Sequence, residues 1–258
     1  MRLGTGIVTL AAAAALALPG CVITPELLST LLKEGPKGLP TPPGGQEVKD
    51  YFFPYSATWK LKYKDTKKSS FSLGTFSSED STTATVTDEI DSFGGRDART
   101  KSTSVATITT KSGSNTSTRT ETTSSKTSYT LNADGSVTSQ NEGGEKFTIT
   151  KEVFTAGTTF KQNNVLFKLT PVGPEPVAAS GKTFQDAFKF RVEASSATSS
   201  ALPTGGEMSI KANMSGTFWV ARGVGPVKHD LTGTIQVSGA ATGSGTISDY
   251  RELENATP

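Results

Sequence analysis

The sequence predicts an all-β domain, and three observations carry that reading. Apolar and polar residues alternate with period two, as in Trp59, Leu61 and Tyr63 against Lys60, Lys62 and Lys64. Runs of this kind recur roughly every 8–15 residues, separated by Gly-, Asn- and Asp-rich turns. No long helical period follows residue 33.

The chain begins with Arg2 and an apolar run, Leu3 to Leu18, dominated by Ala11 to Ala15. This is the layout of a secretory signal peptide, expected over 1–20. The run is short for a membrane span, which takes about 20 apolar residues. It ends at Leu18-Pro19-Gly20-Cys21, and Cys21 is the single cysteine of the 258 residues. The stretch resembles a bacterial lipobox, with Pro19 an unusual occupant of its middle position. The resemblance implies that Cys21 becomes the first mature residue and carries the acyl chains that hold the protein on a membrane. Val22 stands where an aspartate commonly retains a lipoprotein in the inner membrane. That favours the outer membrane of a bacterial cell envelope.

Loss of residues 1–20 takes the formal charge from +2 to +1, too weak a field to collect nucleic acid. With one cysteine, no disulfide forms within the chain. Residues 21–49 are expected to be a tether. Thr24-Pro25-Glu26 caps a short helix with Leu27, Leu28, Leu31 and Leu32 on one face. A Pro/Gly linker through Gly45 follows.

The β domain is expected over 50–254, with 255–258 a tail. Its first strand carries Trp59 to Tyr63. Phe71, Leu73 and Thr75 continue the alternation, then Ala84, Val86 and Asp88. Residues 91–97 read as a turn. From 100 to 128, nineteen of 29 residues are Ser or Thr. Threonine favours strands, so this reads as a long exposed hairpin turning near Ser112-Gly113-Ser114-Asn115, with a disordered excursion as the alternative. Asn132-Ala133-Asp134-Gly135 is a hairpin turn between Leu131 and Val137. Strands follow at 147–149, 165–169, Phe184 or Ala187 to Val192, 208–214 and 216–221. The last are 227–231, 235–237 and 246–253. Periodicity does not separate an open barrel from a β-sandwich.

Tyr51-Phe52-Phe53-Pro54, Trp59 and Tyr63 resemble the "YFPL..G..W.Y" opening of TapB-like bacterial envelope lipoproteins. Residues 177–184 look like that family's "V.TPAGTF", and residues 217–228 are similar to its "W.A.GVGLVK". Ser56-Ala57 and Ala179-Ser180 depart from the pattern, and the Ser/Thr stretch has no counterpart in it. The resemblance implies an antiparallel sheet curled into an open half-barrel, as in lipoprotein-carrier folds. It brings no catalytic residues.

Chemistry is sparse. His229, the single histidine, alternates with Val227 and Leu231. A serine hydrolase built on it lacks a nucleophile-elbow pattern. One His and an acylated Cys do not make a zinc site. Glu79-Asp80 and Asp88-Glu89-Ile90-Asp91 lack EF-hand spacing. No metal, cofactor or catalytic residue is therefore expected. Lys60, Lys62, Lys64, Lys67 and Lys68 form a basic stripe, the wet face of a strand or a contact for anionic lipid. The candidate ligand-facing or core aromatics are Phe52, Phe53, Tyr55, Trp59, Phe218 and Trp219. Two functions follow as expectations. One is a non-enzymatic, membrane-anchored lipoprotein holding a lipid-like ligand in its curved sheet. The other is an assembly module that binds another envelope protein through exposed strands.

Overall fold

The computed structural model describes residues 47–257, apart from 55, 143–145, 157, 163–164, 180, 202–206 and 240–241. The expected leader, Cys21, the expected helix after Thr24, the expected linker and Tyr55 lie outside the described residues.

Helix α1 (Lys49–Phe52) precedes β1 (Lys60–Leu73), β2 (Phe76–Gly94), β3 (Asp97–Ser112), β4 (Asn115–Leu131), β5 (Val137–Asn141) and β6 (Lys146–Ile149). A 3₁₀ turn at Lys151–Phe154 leads to β7 (Thr158–Gln162) and β8 (Val165–Pro174). A small separate hairpin, β9 (Val177–Ala179) and β10 (Lys182–Phe184), comes next. Then come β11 (Ala187–Ala201), β12 (Glu207–Ala221), β13 (Gly225–Gly239) and β14 (Gly243–Thr257).

Twelve strands form one antiparallel sheet in the order β6-β5-β4-β3-β2-β1-β14-β13-β12-β11-β8-β7. The chain is thus all-β, with a single large sheet where a sandwich would stack two. The first and last long strands pair at its centre. Its open edges are β6 and β7, which are consecutive in the chain, so residues 150–157 join one edge to the other. The sheet is not closed into a barrel. It is nonetheless curled, because one buried cluster takes Val137 and Ile149 from one arm and Val165, Phe167 and Leu169 from the other. Phe52 and Phe53 of the α1 region and Val153 and Phe154 of the 3₁₀ turn fill the space between.

Burial follows the period-two reading closely at the centre. Leu61, Tyr63, Ala84, Val86 and Asp88 all point inward. The β9–β10 hairpin caps a second cluster around Trp59, Leu61, Tyr63 and Leu253. A third, with Phe71, Met208, Ile235 and Val237, continues along the lower strands. The Ser/Thr stretch is a regular hairpin: Ser112 pairs with Asn115 around the Gly113-Ser114 turn. The Asn132–Gly135 turn is present too, where Asp134 Oδ1 accepts from the Ser136 amide at 2.9 Å and from its hydroxyl at 2.6 Å.

Several boundaries differ from the sequence reading. Thr75 lies in the β1–β2 turn, and Phe184 belongs to β10. The turn expected over 91–97 narrows to Gly95-Arg96, with strand on both sides. Residues 208–214 and 216–221 are one strand, as are 227–231 and 235–237. The sequence reading begins a new strand at Gly216 and leaves Gly233 between two strands. Both glycines are instead close-approach points, where a Cβ would overlap the backbone oxygens of Asp230 and Asn213. Gly245, against the Ser70 carbonyl, continues the series. Gly216 faces Leu231, Gly233 faces Met214 and Ile247, and Gly245 faces Ile235 and Phe71. The three therefore run diagonally across β12, β13 and β14, stepping two residues per strand, and let the sheet bend along that line. At the C-terminus, 255–257 are strand where a tail was expected, because a bulge at Lys62/Tyr63 lets β14 pair on to Lys60↔Thr257.

Candidate functional site

Of the six candidate aromatics, Tyr55 lies outside the described residues, four of the other five are core, and Trp219 stands apart. Phe52, Phe53 and Phe218 are buried in the large cluster, and Trp59 in the second. Trp219 follows Phe218 on β12 and so points to the other face. There it is half-buried at the margin of the second cluster, with Lys189 Nζ 5.1 Å over its ring. The rings of Phe52 and Phe53 pack on Phe154 and Phe93, at 6.1 and 6.4 Å. The cavity that touches Phe52, Phe53 and Trp59 has a volume of about 10 Å³. That is at the lower bound for a single water. These side chains are a packed core.

Two of the segments that carry the family resemblance meet here. Trp59 Nε1 donates to the Val224 carbonyl at 3.3 Å and the Tyr63 hydroxyl to that of Pro226 at 3.1 Å. Asp50 pairs with Arg222 at 2.9 Å, and its carbonyl accepts from the Gly223 amide at 2.6 Å. The Gly223-Val224-Gly225 loop thus serves as a clamp on α1 and the start of β1.

Beside the core lies a polar group that the sequence reading missed. Arg251 on β14 and Asp65 on β1 are direct cross-strand partners, both buried. Their two bonds, Nε to Oδ1 and Nη2 to Oδ2, are each 2.6 Å. The guanidinium also lies 5.0 Å from the Tyr63 ring. One step along the strands, His229 Nε2 sits 3.1 Å from Asp249 Oδ1, and Lys67 Nζ lies 3.3 Å from the other carboxylate oxygen. Burial pushes the Asp249 carboxyl up, but Lys67, His229 and Arg251 together hold it below the usual range. Burial likewise opposes the charge on Arg251, and Asp65 overrides it, so that its pKa is raised. His229 Nδ1 has no hydrogen-bond partner among the described residues. The pair His229–Asp249 is sealed from solvent, which is a structural arrangement and not an accessible catalytic dyad. Lys67 leaves the expected basic stripe: odd parity turns it inward to Asp249, while Lys60 and Lys62 face outward and pair with Glu89 and Glu254. Among the described residues, no group of three or more His, Cys, Asp or Glu is placed to hold a metal ion.

Two surface features remain. A groove of about 1330 Å³ is lined largely by residues that alternate with buried ones, such as Leu166 and Lys168 beside Phe167. Ser, Thr, Lys and Glu side chains make up much of its walls, but most of the surface it exposes is apolar, with Leu166, Met214 and Ile247 among its lining. The second feature is the edge of β4. β5 pairs with β4 only from Thr127 to Leu131. Residues 115–126 pair with β3 on one side and have no neighbouring strand on the other among the described residues. All of 115–125 are exposed. The stretch contains no proline and its pairing with β3 shows no bulge.

No protein-family model matches the chain, and no curated protein does. Among solved structures, it is similar to the beta domain of the Bordetella autotransporter Brka, at 10% identity and a TM-score of 0.27. That likeness covers 75% of this chain and 98% of the other. At such a score it carries no inference about what this chain does.

Proposed function

We propose that this chain is a non-enzymatic protein of the bacterial cell envelope, held on the outer membrane by acylated Cys21, whose β domain works by strand addition to another protein. The observation that carries the reading is the unpaired edge at 115–126. An antiparallel edge presents alternating N–H and C=O groups, a template for one more strand. Natural edges are blunted by proline, bulges or frequent charges, and here only Arg119, Glu121 and Lys126 carry charge. The sealed His229–Asp249 pair supports the non-enzymatic part. The rival reading, a carrier for a lipid-like ligand, needs apolar space beside the aromatics, and that space is filled.

The test is site-specific photo-crosslinking in cells, with a photoreactive residue at Thr122 and, as control, at the exposed Leu166. Protein adducts from position 122 and none from 166 are expected. Equal capture at both positions, or none at 122, overturns strand addition. Metabolic labelling with palmitate, lost in Cys21→Ala, tests the anchor.

A further inference from the structure

We propose that the strand which adds to β4 is β4 of a second copy, giving an isologous antiparallel dimer centred on Thr120. This rests on the strand-addition reading and names its partner. The argument is one of register and charge.

The two-residue turn makes Ser112–Asn115 the first hydrogen-bonded pair of the β3–β4 hairpin. Odd-numbered residues of β4 near the turn therefore direct their N–H and C=O towards β3, and even-numbered ones direct theirs outward. The other end of the edge agrees with this parity, since the Lys126 carbonyl accepts from the Glu142 amide at 3.0 Å. Thr116, Thr118, Thr120, Thr122 and Ser124 are thus the residues whose backbone groups await a partner.

A two-fold axis at Thr120 sets Thr120 against Thr120 of the second copy, Thr118 against Thr122, and Thr116 against Ser124. Every outward pair then exchanges both its hydrogen bonds. The same register sets Arg119 against Glu121, twice by symmetry. Within one chain these two side chains share the inward-facing parity and already pair, Nε to Oε1, at 2.7 Å. Both are about half exposed, so they are free to exchange partners. Neighbouring registers are penalised. An axis at Arg119 sets Arg119 on Arg119, and an axis at Glu121 sets Glu121 on Glu121. Opposed like charges on adjacent strands are destabilising. The edge also has the needed length: pairing runs from 115 to 125 and stops where Glu142 occupies Lys126.

The experiment uses the full mature chain in detergent, followed by sedimentation. A dimer is expected. Glu121→Arg sets Arg119 against arginine and should weaken association about tenfold or more. Arg119→Glu should do the same, and the double exchange R119E/E121R should restore it. Disulfide trapping fixes the register: hydrogen-bonded pairs hold Cα atoms about 5.5 Å apart, within disulfide range. Thr120→Cys should therefore crosslink to itself, and Thr118→Cys should not. A monomer throughout, a dimer indifferent to E121R, or T118C crosslinking as readily as T120C overturns the proposal. A monomer whose position 122 still crosslinks to a different envelope protein would overturn the dimer alone and leave strand addition standing.

Discussion

Arg251, on the last strand, and Asp65, on the first, meet in two 2.6 Å hydrogen bonds across the seam where those two strands pair. The pair is buried, so its two halves depend on each other. Removing one partner leaves the other charge buried without its bidentate counter-charge. Asp65→Ala should cost about 3–5 kcal/mol. Replacing both, as Asp65→Leu with Arg251→Met, should recover most of that loss. Urea unfolding of the three variants checks this. A double variant as weak as the single would show that the pair acts through something other than charge compensation.

The His229–Asp249–Lys67 group predicts an acid dependence. The Asp249 carboxyl is held below its usual range in the folded protein, and in the unfolded chain it returns to the ordinary value. The folded state therefore binds its proton less readily. The stability this contributes is fully present above about pH 4, the unfolded value, and is lost as pH falls towards the lower folded value. Asp249→Asn should lower stability at neutral pH and flatten the acid slope. Urea midpoints measured from neutral pH downwards test it, and an unchanged slope would exclude Asp249 as its source.

The glycine diagonal makes a steric prediction. A Cβ at Gly233 would overlap the Asn213 carbonyl oxygen and crowd Met214. Gly233→Ala should cost about 1–3 kcal/mol by overpacking. Gly94 supplies the control, because it is exposed and a Cβ there meets nothing within 4 Å. Gly94→Ala should stay within about 0.5 kcal/mol. Thermal unfolding distinguishes them, and equal effects would mean the bend does not need the bare backbone at 233.

Much of this was legible because period two is a local signal. Trp59, Leu61 and Tyr63 mark the buried face of β1 without reference to any other strand. Asp65 carries the same parity two residues on, but a charge in an alternating run reads as the start of solvent. Only its partner, Arg251, at matching inward parity with Leu253, explains it, and the two lie 186 residues apart. The strand boundaries set at Gly216 and around Gly233 were misplaced for a related reason: a glycine that lets strands approach has the same local signature as one at a strand boundary. The aromatic residues were recognisable as important, but alternation could not say whether they face a ligand or one another. That depended on Phe154, whose ring enters from the short link between the sheet's two edges. The exposed Ser/Thr hairpin was legible as a source of free strand edge, but that the edge lies on β4 was not, since this depends on β5 stopping at five residues.

Phe154 also gives the sharpest test of the curled sheet. Its ring stands 5.0 Å from Phe188 and 5.2 Å from Tyr51, edge-on in both cases, and 6.1 Å from Phe190. It lies on the segment that connects β6 to β7, so its packing ties both edges to α1 and β11. Phe154→Ala should cost about 3–5 kcal/mol. The loss should also be uneven. β5 and β6 are short and place Val137 and Ile149 in this cluster, and β7 is a short edge strand paired on one side only, whereas β1, β13 and β14 are held by long ladders on both sides. Amide hydrogen exchange should therefore quicken over 137–149 and 158–162 while the central strands keep their protection. Uniform quickening across the whole sheet would instead mean that the two arms and the centre unfold as one unit, with the ring contributing only its buried volume.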